Sequence, residues 1–208
     1  IPPTILFSLI GNHKDVRKAV SSDFKFPGDR IYLCGETHQE LGASEIAFMF
    51  REETQGKSGI GGRVPEIDTS RNMAMYRALT DAMQKELVAS AHDCSDGGLA
   101  VAISECCFGS DSGARVDISP IMSDCDQIEP WGALFGESLG RILVSVKPDK
   151  CKMFENIMTG HACIGAKRVG ADKSHLKLNI IIGADQKTYN AIGFGLGDKI
   201  NSIQNNFD

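Results

Sequence analysis

The chain has 208 residues, with 22 Lys and Arg against 27 Asp and Glu and a formal net charge of -5, which leaves no basic footprint for nucleic acid. Its 42% hydrophobic and 24% charged residues suit a globular protein with an ample core, as one large domain or a domain with an appendage. No apolar run approaches the about 18 residues needed for a membrane-spanning helix.

The start, Ile1-Pro-Pro-Thr-Ile-Leu6, has neither an initiator Met nor the charged-then-apolar order of a signal peptide, so the chain reads as a piece of a longer gene product. Thr4 to Ile10 is rich in β-branched and apolar residues and reads as a strand closed by Gly11-Asn12. Asp15 to Val20 is one helical turn. Pro27-Gly28-Asp29 is a turn that feeds the strand Arg30 to Cys34. Gly35 to Glu45 is a polar loop with a helical turn around Leu41 to Glu45. Two acids and a Thr just after a strand fit either a ligand site at its carboxyl end or a solvated, capped loop. Ile46 to Phe50 is apolar, and Glu52 to Pro65 is a Gly-rich connection. Gly56-Lys57-Ser58 is no phosphate loop, because Arg51 stands where that motif needs its first Gly.

Asp68 opens the clearest helix, which runs to about Leu87 with Tyr76, Leu79, Met83 and Leu87 as its apolar stripe. A short strand ending at His92 then meets Asp93-Cys-Ser-Asp-Gly-Gly98, followed by the apolar helix of Leu99, Val101, Ala102, Ile103 and Cys106. An Asp or Ser before a helix is a preferred cap, since its side-chain oxygen accepts an orphan backbone N–H. The same strand–Gly–Gly–helix junction suits an anion such as a phosphate, so cap and ligand loop both stay open.

Ala114 to Ile118 is a strand, and Pro130-Trp131 opens a short helix at the position proline tolerates. Gly136-Glu137-Ser138 is a polar corner, fit to contact a sugar or phosphate or to cap the turn. Arg141 to Val146 is a β-branched strand. Asp149 to Met158 reads as a helix with Met153, Phe154 and Ile157 inward. Cys163 to Val169 and Leu176 to Ile182 read as two strands joined by a polar turn. Gly193 to Gly197 misses the dinucleotide-binding pattern. The seven cysteines contain no C-x-x-C pair, which argues against a disulfide framework or a structural zinc site and for a reducing cytosol. Most of them suit a core; Cys94, near a helix N-terminus, is the one where a lowered thiol pKa would bring reactivity. These elements make an α+β fold, a mixed sheet layered with helices.

His92-Asp-Cys-Ser-Asp-Gly-Gly-Leu-Ala-Val-Ala-Ile-Ser-Glu105 resembles the H-D-x-S-D-G-G-L-A-V-A-x-x-E signature of the phosphoribosylformylglycinamidine (FGAM) synthase family. Three further stretches agree in order. Pro2-Pro-Thr4 with Gly11 and Asp15-Val16 is similar to P-P-T…G…D-V. Gly35-Glu-Thr37 with Glu40-Leu-Gly-Ala-Ser-Glu45 is similar to G-E-T-x-x-E-L-G-G-S-E, with Ala43 in place of a Gly. Phe135-Gly-Glu-Ser138 with Arg141-Ile142 is similar to F-G-E-S-x-x-R-I/V. The resemblance spans about residues 1 to 185.

The resemblance implies the aminoimidazole ribonucleotide synthase superfamily, in which an ATP-binding domain precedes a C-terminal domain of α/β/α layers. FGAM synthases contain that pair twice, and this chain resembles the last domain: residues 1–20 as a lead-in strand and helix, 21–208 as the domain. The implied enzyme is a cytoplasmic, ATP-dependent carbon–nitrogen ligase that uses Mg²⁺. It makes FGAM from formylglycinamide ribonucleotide and glutamine-derived ammonia in purine biosynthesis. The implied partners are the N-terminal half of the same enzyme, a glutaminase domain or subunit and a small-molecule nucleotide substrate, with no nucleic acid and no membrane.

The family's catalytic His and metal-binding acids lie in N-terminal motifs missing here, so no catalytic or metal residue is expected and the chain alone is expected to be inactive. The first C-terminal-type domain of such enzymes touches substrate through a Glu-Ser-Gln corner, whose counterpart here is Glu137-Ser138-Leu139. The candidates for substrate or nucleotide contact are Glu36, Asp96, Gly97, Gly98, Glu137 and Ser138. The alternatives are a non-catalytic nucleotide-binding or assembly module, or another ATP-dependent member of the superfamily.

Overall fold

Arg30-Ile-Tyr-Leu-Cys34 is apolar at every position after the first, the pattern of a strand covered on both faces. In the computed structural model it is such a strand, β1 (Arg30–Cys34), at the centre of the fold. The structure describes residues 6–49, 62–109, 113–124, 128–160, 163–165, 177–182 and 187–192. β1 pairs antiparallel with β4 (Ile142–Val146) on one side and β5 (Cys163–Gly165) on the other. β2 (Val88–Asp93) pairs antiparallel with β4, so the sheet order is β2-β4-β1-β5.

The alternation of side chains along these strands builds two separate cores. Ile31, Leu33 and Leu143 face Leu99, Ile103 and Cys106 of α3 (Gly98–Phe108). The same core takes in Val116 of β3 (Arg115–Asp117), Ile121 of α4 (Ser119–Asp124) and Leu134 of α5 (Pro130–Phe135). Tyr32, Cys34, Val144 and Val146 face the other way. They meet Met75, Leu79 and Ala82 of α2 (Thr69–Gln84) and Phe154 and Met158 of α6 (Cys151–Met158). The Tyr32 and Phe154 rings lie 4.9 Å apart, and Tyr32 Oη donates to Glu155 Oε1 at 2.7 Å. Helices therefore cover both faces, giving the α/β/α layers and the α+β class.

Parallel pairing occurs in a second sheet. β3 pairs parallel with β6 (Lys177–Ile182), which pairs antiparallel with β7 (Lys187–Ile192). The sequence anticipates 163–169 and 176–182 as neighbours joined by a turn; instead β5 closes the first sheet beside β1 and β6 belongs to the second. β7 has no counterpart in the sequence reading.

Several boundaries hold. Asp68 accepts from Arg71 N–H at 2.9 Å and caps α2, and Asp15 accepts from Arg17 N–H at 3.1 Å beside a 3-10 turn at Val16–Lys18. Others shift. Residues 6–10 are in no strand; Leu6, Phe7, Leu9 and Ile10 are exposed, because nothing among the described residues pairs with them. The turn at Leu41–Glu45 becomes α1 (Glu45–Met49), which starts at the end of that span with Ser44 Oγ accepting from Ala47 N–H at 3.3 Å. On α6 the inward positions are Cys151, Phe154 and Met158, spaced by three and four, with Ile157 half-buried against the same core, while Met153 is exposed. Gly56-Lys57-Ser58, Pro2-Pro-Thr4 and Gly193 to Gly197 lie outside the described residues.

The far end of the sheet holds an unpaired acid. Asp29 is buried, and neither carboxylate oxygen has a hydrogen-bond partner among the described residues. Burial raises its pKa above the ordinary 3.8, against the pull of Lys147 and with a push from Asp149. The native chain therefore holds this proton more tightly than the unfolded chain does. The stability that the proton confers is complete below the ordinary carboxylate value and is lost as pH rises through the raised native value. Asp29→Asn is expected to flatten that fall and to add about 1 kcal/mol at neutral pH. Urea unfolding across pH 4 to 7 checks it; an unchanged pH profile in the variant is the contrary result.

Candidate functional site

Strands β1 and β2 end, and β4 begins, at one edge of the four-stranded sheet. That brings three loops together: 35–45 after β1, 93–98 after β2, and 136–141 before β4. The chain passes so closely here that glycine is needed. Gly35 has φ +103°, and a Cβ on it would sit 3.0 Å from Arg141 Cα and from Gly140 O.

Arg141 anchors the corner. It is among the largest fully buried side chains, and its guanidinium donates from Nε to Ser138 O at 3.1 Å, from Nη1 to Thr37 Oγ1 at 3.3 Å and from Nη2 to Gly136 O. Burial pulls its pKa down, while the charges of Cys94, Glu40 and Glu137 act to hold the proton on. Ser138 is buried; its hydroxyl accepts from His38 N–H at 3.0 Å and donates to His38 O at 3.4 Å, pinning one loop to the other.

Glu137 does what the sequence assigns to a local cap. Its Oε1 accepts from Gly97 N–H at 2.9 Å and from Glu45 N–H at 2.9 Å. Neither Asp93, Ser95 nor Asp96 caps α3. Gly97 is the N-cap, in the left-handed region at φ +75°, with no side-chain cap bond of its own. Ser95 Oγ instead donates to Asp93, a bond that holds the Asp93 carboxyl below its usual range. The left-handed turn at Gly97 and Gly98 brings the helix start to the 136–141 corner, out of reach of the local side chains.

Glu36 is half-exposed, paired with Arg71 through Nη1, with His38 Nε2 3.6 Å from its other oxygen. Asp96 is exposed and makes no hydrogen bond or ion pair among the described residues. Four of the six predicted residues thus meet at one junction: Glu137 accepts from Gly97, Gly98 packs against Gly136 O, and Ser138 bonds His38. Glu36 joins it through His38, whose backbone Ser138 holds, and Asp96 stands apart. Sequence reasoning missed Arg71 and the buried role of Arg141, although Arg141 stood in the F-G-E-S-x-x-R stretch. It also missed Glu40, which is fully buried, accepts from Glu66 N–H at 3.3 Å through Oε1 and leaves Oε2 unpartnered. Ala43, the departure from glycine in the family motif, has φ +59°, the region glycine prefers.

Cys94 is not reactive in the way its position suggested. It is buried, and burial pushes its thiol up to about 11, outweighing any help from the helix N-terminus. Cys34, Cys106, Cys107 and Cys151 are also core residues, and these four and Cys94 are free thiols.

The junction does not fit a nucleotide phosphate with its Mg²⁺. The Gly97 N–H is taken by Glu137, the Gly98 N–H by Ser95 O at 3.0 Å, and each of the three Arg141 nitrogens bonds an uncharged oxygen of the chain. Among the described residues no three His, Cys, Asp or Glu are placed to hold a metal ion, and no helix is long and apolar enough to cross a membrane.

Comparison with known proteins adds an identity to this geometry. The AIR synthase related protein, C-terminal domain family matches residues 27–174. The phosphoribosylformylglycinamidine synthase subunit PurL of Thermobifida fusca (strain YX) is 36% identical over 171 residues, covering 82% of this chain and 20% of that protein. Thermotoga maritima PurL complexed with FGAR superimposes with a TM-score of 0.64 at 22% identity, over 82% of this chain and 28% of that one. The same protein complexed with ATP gives 0.58 at 22% identity, over 85% and 26%. These structural likenesses are of fold, and the chain spans about a fifth of the curated relative's length. The chain belongs to the AIR synthase related protein family, as a C-terminal domain of that kind.

Proposed function

We propose that this chain is the C-terminal module of an FGAM synthase, acting within the larger enzyme in de novo purine biosynthesis. The observation that carries the reading is the 36% identity over 171 residues with a protein of that name. The geometry supports it, since the motif residues Gly35, Gly98, Glu137, Ser138 and Arg141 are those that join the three loops.

In the proposed reaction ATP phosphorylates the formyl-amide oxygen of formylglycinamide ribonucleotide, and ammonia from glutamine then displaces phosphate. ATP, Mg²⁺ and the reacting atoms belong to the N-terminal half of the enzyme, because the donors of this junction are already engaged. A glutaminase domain or subunit is the second partner. A reducing compartment, the cytoplasm, suits the free thiols of Cys34, Cys94, Cys106, Cys107 and Cys151. Within the module we assign any ligand contact to the outward-facing Glu36 and Asp96, while Gly97, Gly98, Glu137 and Ser138 hold the loops that carry them.

The test supplies the N-terminal half in trans with ATP, Mg²⁺, formylglycinamide ribonucleotide and ammonium, and follows ADP release. Substrate-dependent turnover that requires this chain is expected; none from a folded, assembled pair overturns the assignment. Asp96→Asn removes a charge with no bonded partner among the described residues, so its stability should stay within about 0.5 kcal/mol. A fall in turnover then marks Asp96 as a ligand contact, and unchanged turnover assigns it to the surface.

A further inference from the structure

We propose that Glu137 is a resident anion: its carboxylate fills the place at the strand–Gly–Gly–helix junction that an anionic ligand would otherwise take, and so closes that junction to phosphate. Four observations converge on this. One carboxylate oxygen, Oε1, accepts two backbone N–H groups from segments far apart in the sequence, Gly97 and Glu45, each at 2.9 Å. Two N–H donors converging on one oxygen is the way a protein holds a bound anion, and ionised acceptors make the stronger hydrogen bonds. The start of α3 is packed tightly against this corner, since a single carbon added at Gly98 would lie 2.5 Å from Gly136 O. The surroundings also repel a second anion, with Asp93 and Asp96 exposed on the same loop and the buried Arg141 guanidinium bonded to oxygens of the chain.

This role differs from substrate contact by a Glu-Ser corner. The corner's own glutamate ties α3 to the 35–45 loop, so the two loops are seated by an internal charge and need no ligand to order them. The inference concerns the chain's own atoms and stands whichever enzyme the chain serves in.

The test is amide hydrogen exchange on the full chain, followed at Gly97 and Glu45. In Glu137→Ala both amides are expected to exchange about tenfold faster or more, together, while amides of β1 and β4 keep their protection. Acetate supplies the methylene carboxylate that the variant lacks. It should restore protection at both amides of Glu137→Ala with a saturable dependence and leave the wild type unchanged, whereas chloride at equal ionic strength should restore neither. Glu137→Gln keeps the shape and one acceptor oxygen, so it remains informative if the alanine variant does not fold; both amides should again lose protection together, by a smaller factor.

Unchanged protection at Gly97 and Glu45 in a folded variant overturns the proposal. So does inorganic phosphate that raises the protection of the Gly97 amide in the wild type, because the junction would then be open to a ligand. These outcomes are separate from turnover in the trans assay, so the resident-anion role and the enzyme assignment fail independently.

Discussion

Replacing Arg141 by Ala is expected to cost about 3–5 kcal/mol, a large part of the stability of a domain this size. The buried guanidinium satisfies Gly136 O, Ser138 O and Thr37 Oγ1 at once, and Arg141 is only 1% exposed. Truncation leaves buried acceptors without donors and a cavity where a long side chain lay. Arg141→Lys keeps the charge but not the planar fork, and one ammonium cannot reach three divergent acceptors, so most of the loss should remain. Urea unfolding measures both variants. A loss below about 1.5 kcal/mol for the alanine variant would mean that the corner is held elsewhere, by Ser138 and Glu137 alone.

Gly98→Ala is the second large effect. The added methyl group would meet Gly136 O at 2.5 Å and Leu134 O at 3.0 Å, both backbone atoms that cannot rotate away, and φ at Gly98 is +64°. Clash and left-handed backbone together should cost about 3 kcal/mol. Gly28→Ala is the control: φ is +94° but nothing lies within 4 Å of the added carbon, so only the backbone term remains, about 1 kcal/mol. Equal losses in the two variants would show that α3 can move off the corner without penalty.

Much of this architecture was legible in the chain because local chemistry and tertiary demand agree. Arg30 to Cys34, the Asp68 cap and Pro130 at the start of a helix could be read directly, since each carries its signal within a few residues. The 6–10 segment misled because strand propensity states a preference, while a strand exists only with a neighbour to pair with. The cap of α3 misled for a related reason. Asp and Ser stood in the favoured positions, but the left-handed glycines turned the helix start toward Glu137, some forty residues away in the sequence.

The same limit explains the site. The motif stretches fall on three loops that meet, where Glu137 accepts from Gly97, Gly98 packs against Gly136 O and Ser138 bonds His38. Arg141 looked like the first residue of a strand, because nothing in its neighbourhood says that three oxygens from two loops converge on it. Glu40 looked like one more acid of a polar loop and is fully buried.

The register of the central sheet bears on how the chain reaches this state. Arg30 pairs with Val146 and Cys34 with Ile142, so β1 must wait for a partner more than a hundred residues downstream. Closing so long a loop is entropically costly before any contact repays it, and such topologies fold slowly. On the ribosome, the 35–45 and 93–98 loops emerge with their residues in place but with nothing to hold them. The junction forms only when the 136–146 segment arrives, supplying Glu137, Ser138, Arg141 and β4 in a single stroke. Assembly of this edge is then a late, all-together event, and an interruption of synthesis before about residue 146 leaves a chain with exposed halves of two cores.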